Sequence, residues 1–154
     1  MKMLPYFFGF LIISSHSSFA SVADCAKFAG NYTWGGINSN IGPGDTYFIE
    51  KVAMSIFPNT NEIKIESLLG KNTWIETLTV DGNRHPGDGK HTGESYVASC
   101  AADQIQLSYS FKDQIAPVVT RFKFYLNGTT KYLVIYKFFE GYEQYTSHAT
   151  FYIN

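Results

Sequence analysis

Three side chains able to bind a metal stand in one short stretch of the sequence. His85, Asp88 and His91 follow a His-x-x-Asp-x-x-His spacing inside "VDGNRHPGDGKHTGES", residues 80–95. Imidazole and carboxylate are the ligands that zinc and related cations accept. Metal sites, however, stand on rigid elements, with neighbours that fix each imidazole. This stretch carries Gly82, Pro86, Gly87, Gly89 and Gly93, and ordering so many glycines costs conformational entropy. Asp and Gly here read as turn chemistry. The expectation is therefore a long hairpin loop, with a lid over one end of the fold or a partner contact as its functional alternatives. No metal and no other cofactor is expected.

Two carboxylates fall in an apolar phase. Glu50 shares a face with Phe48, Val52, Met54 and Ile56, and Glu76 with Trp74, Leu78 and Val80. A carboxylate facing a closed core is costly unless it is paired. Each could lie near an open end, be returned to solvent by a bulge, or form the polar wall of a ligand cavity. If both faced one cavity they could act as an acid–base pair, but the sequence does not set their separation. There is no Gly-x-Ser-x-Gly, phosphate loop, zinc spacing or dinucleotide fingerprint. The expectation is a protein that is not an enzyme. His148 lies on a half-polar face with Tyr142, Gln144, Thr146 and Tyr152.

The elements that position these groups are strands. Segments 46–57, 62–69, 73–80, 95–102, 104–111, 118–126, 131–139 and 142–153 alternate with period two and are rich in Tyr, Phe, Ile, Val and Thr. Turn residues separate them, and Asn127-Gly128-Thr129 is the strongest hairpin signal, since Asn-Gly supplies the positive φ angles of a type I′ turn. Only "SVADCAKFA", residues 21–29, suggests a turn of helix. The reading is an all-β chain, an antiparallel up-and-down meander of eight or nine strands. Closure into a barrel hides both hydrophobic edges, and a sandwich is the alternative.

The first twenty residues read as a signal peptide. Lys2 precedes the apolar run Leu4 to Ile13, and small residues lead to Ala20. Cleavage falls after Ala20 or Ala23, leaving residues 21–154 as a single domain. About ten apolar residues cannot cross a bilayer core that needs roughly twenty, so no membrane span is expected. Beyond the leader, Lys and Arg number 11 against 13 Asp and Glu, which argues against nucleic acid as a partner. Cys25 and Cys100 are the chain's two cysteines. In a secreted or periplasmic protein they read as one disulfide.

"FAGNY", Phe28 to Tyr32, resembles the short Gly-x-Trp signature that opens lipocalin-type barrels. Gly30 matches the glycine, Tyr32 replaces the tryptophan, and Trp34 lies two residues on. The up-and-down strands and the single disulfide near the N-terminus are similar to that superfamily as well. The resemblance implies a barrel open at one end that binds a small apolar ligand or another protein. Candidate ligand contacts are Glu50, Trp74, Glu76, Tyr109, Phe122 and Phe124. Aromatics as large as these could also fill a small barrel. A secreted interaction module or inhibitor with a solid core, working through an outer aromatic face or the 81–94 loop, is the second expectation. The strand "KYLVIYKFF" supports an outer face: it is apolar on both sides, and a small barrel has one packed interior.

Overall fold

The computed structural model describes residues 21–36, 39–43, 48–90, 92–101 and 103–153. The expected leader lies outside them. A 3-10 helix, Val22–Phe28, is followed by ten strands. These are β1 Gly30–Trp34, β2 Lys51–Phe57, β3 Glu62–Leu69, β4 Asn72–Thr79 and β5 Arg84–Pro86. After them come β6 Ser95–Ala101, β7 Gln104–Ser110, β8 Val118–Asn127, β9 Thr130–Phe139 and β10 Ser147–Ile153. All neighbours pair antiparallel in one sheet of order β4-β3-β2-β1-β10-β9-β8-β7-β6-β5. The sheet curls into a nearly closed barrel, with the chain's first strand zipped to its last.

The alternating pattern dictates this result. Along β6 and β7 every second residue is buried: Tyr96, Ala98, Cys100, then Ile105, Leu107, Tyr109. Val52, Met54, Ile63, Ile65, Leu78, Leu133, Ile135, Ala149 and Phe151 join them in one core. Turn chemistry sets the registers. Gly70 takes φ 56° in the two-residue link between Leu69 and Asn72. At the Asn127 hairpin the two central residues are Gly128 and Thr129, since Asn127 pairs with Thr130. Gly128 has φ 60°, and glycine at the first central position is what a type II′ turn asks for. The turn therefore sits one residue later than the Asn-Gly signal suggests.

Two strand starts fall five residues later than expected, and two strands are additional. The strand expected over 46–57 begins at Lys51; of its first residues, 46 and 47 lie outside the described set. The strand expected over 142–153 begins at Ser147, because Tyr142 closes a turn onto the Phe139 carbonyl and a short 3-10 helix, Glu143–Tyr145, follows. The Thr146 hydroxyl and amide both donate to the Glu143 carbonyl, which holds that helix closed. Finally, β1 ahead of the expected segments and β5 inside the glycine-rich loop add to the eight segments and bring the strand count to ten.

The two ends of the barrel are unlike. One carries the 58–61, 101–104 and 128–129 hairpins, and the N-terminal 3-10 helix plugs it. Val22, Cys25 and Phe28 of that helix are 2, 0 and 0 % exposed. Cys25 is bonded to Cys100 on β6, as the sequence suggested. Phe28 meets the Phe124 ring edge-on at 5.9 Å, and the Tyr32 hydroxyl donates to the Phe28 carbonyl at 2.9 Å. Burying Val22 and Phe28 alone contributes about 1.5–3 kcal/mol each. At the other end lie residues 35–36, 39–43 and 48–50, the 70–71 turn, residues 87–90 and 92–94, and the loops 111–117 and 140–146. The candidate site is there.

Candidate functional site

The end opposite the 3-10 helix is built by strand phase, and Ile41, Ile49 and Phe111 of its loops pack against the core. On β9 the inward residues are Leu133, Ile135, Lys137 and Phe139; on β4 they are Leu78, Glu76 and Trp74. The deeper members are fully buried, but Trp74 remains 40 % and Phe139 46 % exposed. Two aromatic rings of inward phase thus remain in contact with water at this end of the barrel. Such rings are ready to cover an apolar body.

Polar groups lie below them. The Tyr109 hydroxyl, reaching from β7, donates to Glu76 Oε2 at 2.8 Å. Burial pushes the Tyr109 phenol well above its usual value, and the Glu76 carboxylate adds to the effect. Tyr109 therefore stays protonated and serves as a hydrogen-bond donor. Lys137 enters from β9 and remains exposed; partial desolvation lowers its pKa, while Glu76 opposes that shift. Glu76 and Lys137 thus lie close enough for the carboxylate to act on the amine. Tyr96, opposite Tyr109 in the β6–β7 register, accepts the Thr79 amide at 3.1 Å. That contact helps to hold the seam where β4 nears β6. On the far wall the Trp34 ring packs against Phe48 at 5.0 Å, and its indole N–H is buried without a partner among the described residues.

The expected ligand contacts separate into three groups. Glu76 and Tyr109 are brought into direct contact, and Trp74 stands beside them at the rim. Phe122 and Phe124 lie deeper, toward the plug. Phe122 is 4 % exposed, opposite Ile105 and Ile135, and Phe124 packs on Phe28. Both are wall and core. Glu50 is half-buried beyond the end of β2, where its carbonyl accepts the Trp34 amide and its amide donates to the Leu68 carbonyl. No hydrogen bond among the described residues joins its carboxylate to Glu76. Lys137 was passed over by the sequence reading, although its phase with Leu133, Ile135 and Phe139 was signal enough.

The glycine-rich stretch is a tightly bonded structure. Asp81 Oδ1 accepts the Asn83 amide at 2.8 Å and faces His85 Nε2 at 2.9 Å. These bonds bring the Asp81 carboxyl down to about 2, His85 first among the causes. His85 also stacks on Tyr96 at 5.4 Å. Asp88 Oδ1 accepts the Lys90 and Thr92 amides, both at 2.9 Å. Gly87 and Gly93 are packed so closely that a Cβ would stand 2.1 Å from the Gly93 carbonyl oxygen or 2.3 Å from that of Ser110. His85 and Asp88 are thus engaged in holding the loop, while His91 lies outside the described residues. Among the described residues no group of three metal-ligating side chains converges.

The outer wall of β8, β9 and β10 carries the other aromatics. Tyr125 stacks on Tyr132 at 5.3 Å, Tyr132 meets Tyr152 at 6.2 Å, and Tyr136 meets His148 at 6.2 Å. The Tyr125 and Tyr136 hydroxyls lie 3.3 Å apart. Burial, with the Tyr125 contact second, pushes the Tyr136 phenol up to about 12. The expectation that some rings of "KYLVIYKFF" turn outward is met by Tyr132 and Tyr136. No helix among the described residues is long and apolar enough to cross a membrane.

The fold is a nearly closed antiparallel barrel, plugged at one end by its 3-10 helix, of a kind compatible with lipocalin-like proteins. No protein-family model matches the chain, and no curated protein matches it either.

Proposed function

We propose that this is a secreted or periplasmic, lipocalin-like binding protein that takes a small ligand into the end of its barrel opposite the 3-10 helix. The observation that carries the reading is the inward set on β4, β7 and β9. Trp74 and Phe139 offer exposed rings, and Glu76, Tyr109 and Lys137 offer polar groups beside them. This combination suits a ligand with a flat apolar body and one polar head: the rings cover the body and the polar groups orient the head. The disulfide is consistent with an oxidising compartment, which supports export. The filled lower half, where Phe28, Tyr32 and Phe151 are 0 % exposed, limits such a ligand to the upper barrel.

The test is native mass spectrometry of the protein purified from its own export compartment, followed by titration of Trp fluorescence with the recovered compound. A bound small molecule is expected, with affinity at least tenfold weaker in Trp74→Ala and in Lys137→Met. A bare chain, with no saturable fluorescence change on adding fatty acids or aromatic acids, would refute the reading. The second reading, an interaction module acting through its outer face, is favoured by the Tyr125–Tyr132–Tyr152 array.

A further inference from the structure

A second concavity lies outside the barrel, on the opposite side of the sheet from the ligand opening. It is a groove of about 230 Å³ lined by Arg121, Lys123, Tyr136, Phe138, Glu143 and Thr146. Strand phase places its cations: Arg121 and Lys123 are successive outward residues of β8, and Arg121 stands opposite Tyr136 of β9. The 3-10 helix at Glu143–Tyr145 and the following Thr146 raise one rim. Arg121 is held in place by neutral groups. Its Nε and Nη2 donate to Gln106 Oε1 at 3.2 and 2.9 Å, and its guanidinium lies over the Phe138 ring at 5.1 Å. Among the described residues neither Arg121 nor Lys123 forms an ion pair. Among the described residues Glu143 is the one carboxylate lining the groove, so two cations face a single anion there.

From this arrangement we infer that the groove is a site for an acidic saccharide, a sugar ring bearing a carboxylate or sulfate. The charge balance calls for an anion, and a guanidinium fixed at one edge presents its remaining donors in a fork suited to an oxyanion. The aromatic surface speaks for a sugar rather than a bare ion. Tyr136 forms one side of the groove, and its hydroxyl leads to the Tyr125–Tyr132–Tyr152 row along the same wall. Such rings stack on the apolar faces of sugars and offer hydroxyls to their edges. The volume admits about one ring, so a longer chain would continue along the tyrosine row. The site is independent of the ligand proposed for the barrel.

Nuclear magnetic resonance titration of the intact, oxidised protein tests the inference. The probes are an oligogalacturonate, its neutral methyl ester, a sulfated glycosaminoglycan tetrasaccharide and sodium sulfate. Saturable shifts confined to β8, β9 and β10 are expected with an acidic oligosaccharide, and none with the methyl ester. The galacturonate and sulfated arms tell a carboxylate preference from a sulfate one. Lys123→Gln, a change on the outward face of β8 that leaves the core untouched, should weaken binding about tenfold, and Arg121→Gln more. Raising the salt concentration should weaken it as well. Shifts at the barrel opening instead, equal binding of the methyl ester, unchanged affinity in Lys123→Gln, or sulfate alone binding as tightly would each overturn the inference. No saturable shift with any probe would do the same.

Discussion

Replacing Cys25 and Cys100 together by alanine removes the staple that fastens the plug to β6. The bond spans a sequence separation of 75. On the chain-entropy model, ΔS is about −2.1 − 1.5R ln 75, near −15 cal/mol/K, which amounts to about 4.5 kcal/mol at 25 °C. With a urea slope of about 2 kcal/mol/M, the unfolding midpoint should fall by roughly 2 M. Equilibrium urea unfolding of the wild-type chain, the double variant and the reduced wild-type chain gives the comparison. The last two should coincide. The 3-10 helix also loses its anchor, so limited trypsin should cut after Lys27 in the double variant and spare it in the oxidised protein. A midpoint drop below about 0.5 M would refute the argument, because it would mean that closing this loop in the unfolded chain contributes little. Undiminished protection at Lys27 would show that burial of Val22 and Phe28 seats the plug unaided.

Tyr32→Phe leaves the Phe28 carbonyl buried without its donor and should cost about 1–3 kcal/mol in urea unfolding, with the slope unchanged. Gly93→Ala should cost about 1–3 kcal/mol by thermal unfolding, since φ is 68° there and the new Cβ would press on the Ser110 carbonyl; a neutral result would show that the 87–94 loop yields freely. Alkali should destabilise the protein. Tyr32 is pushed up to about 12 by burial and Tyr109 also lies above its usual value, so both keep their protons in the folded state after unfolded tyrosines ionise near 10. The stabilisation present below pH 10 is therefore lost as pH rises toward 12, by about 1.4 kcal/mol per pH unit for each tyrosine. Urea midpoints at pH 9 and 11 measure it, and Tyr32→Phe should flatten the fall.

The strands were legible because their period is two and their faces differ. Where that contrast fails, so does the reading. The segment 142–146 carries tyrosines and a threonine in strand-like alternation, yet it turns, because Gly141 at φ 81° and the bonds to the Glu143 carbonyl redirect the backbone. In the same way β5 has three residues, too few to show a period, and exists because β6 offers Val97, Tyr96 and Ser95 as partners. Of the site, the inward phase of Glu76 and Tyr109 could be read, but not their meeting, since strands β4 and β7 approach only through the closure of the whole barrel. Lys137 stood in an apolar phase from the start. A cation there reads as an interruption of the pattern until the barrel supplies the carboxylate that faces it.

The pairing of β1 with β10 ties assembly to the far end of the chain. Tyr32 is matched with Ile153 and Trp34 with Phe151, so β1 has no neighbour on that side until residues 151–153 have emerged. Until then β2, on its other side, is its one strand partner, and the fully buried Tyr32 and Phe151 have no common interior to enter. Most contacts of this architecture join residues distant in sequence, which sets folding on the millisecond-to-second scale of β-rich domains rather than the microsecond scale of helical bundles. A growing chain thus carries exposed strands until β10 is complete, and a stop before Ser147 removes the clasp that makes a sheet into a vessel.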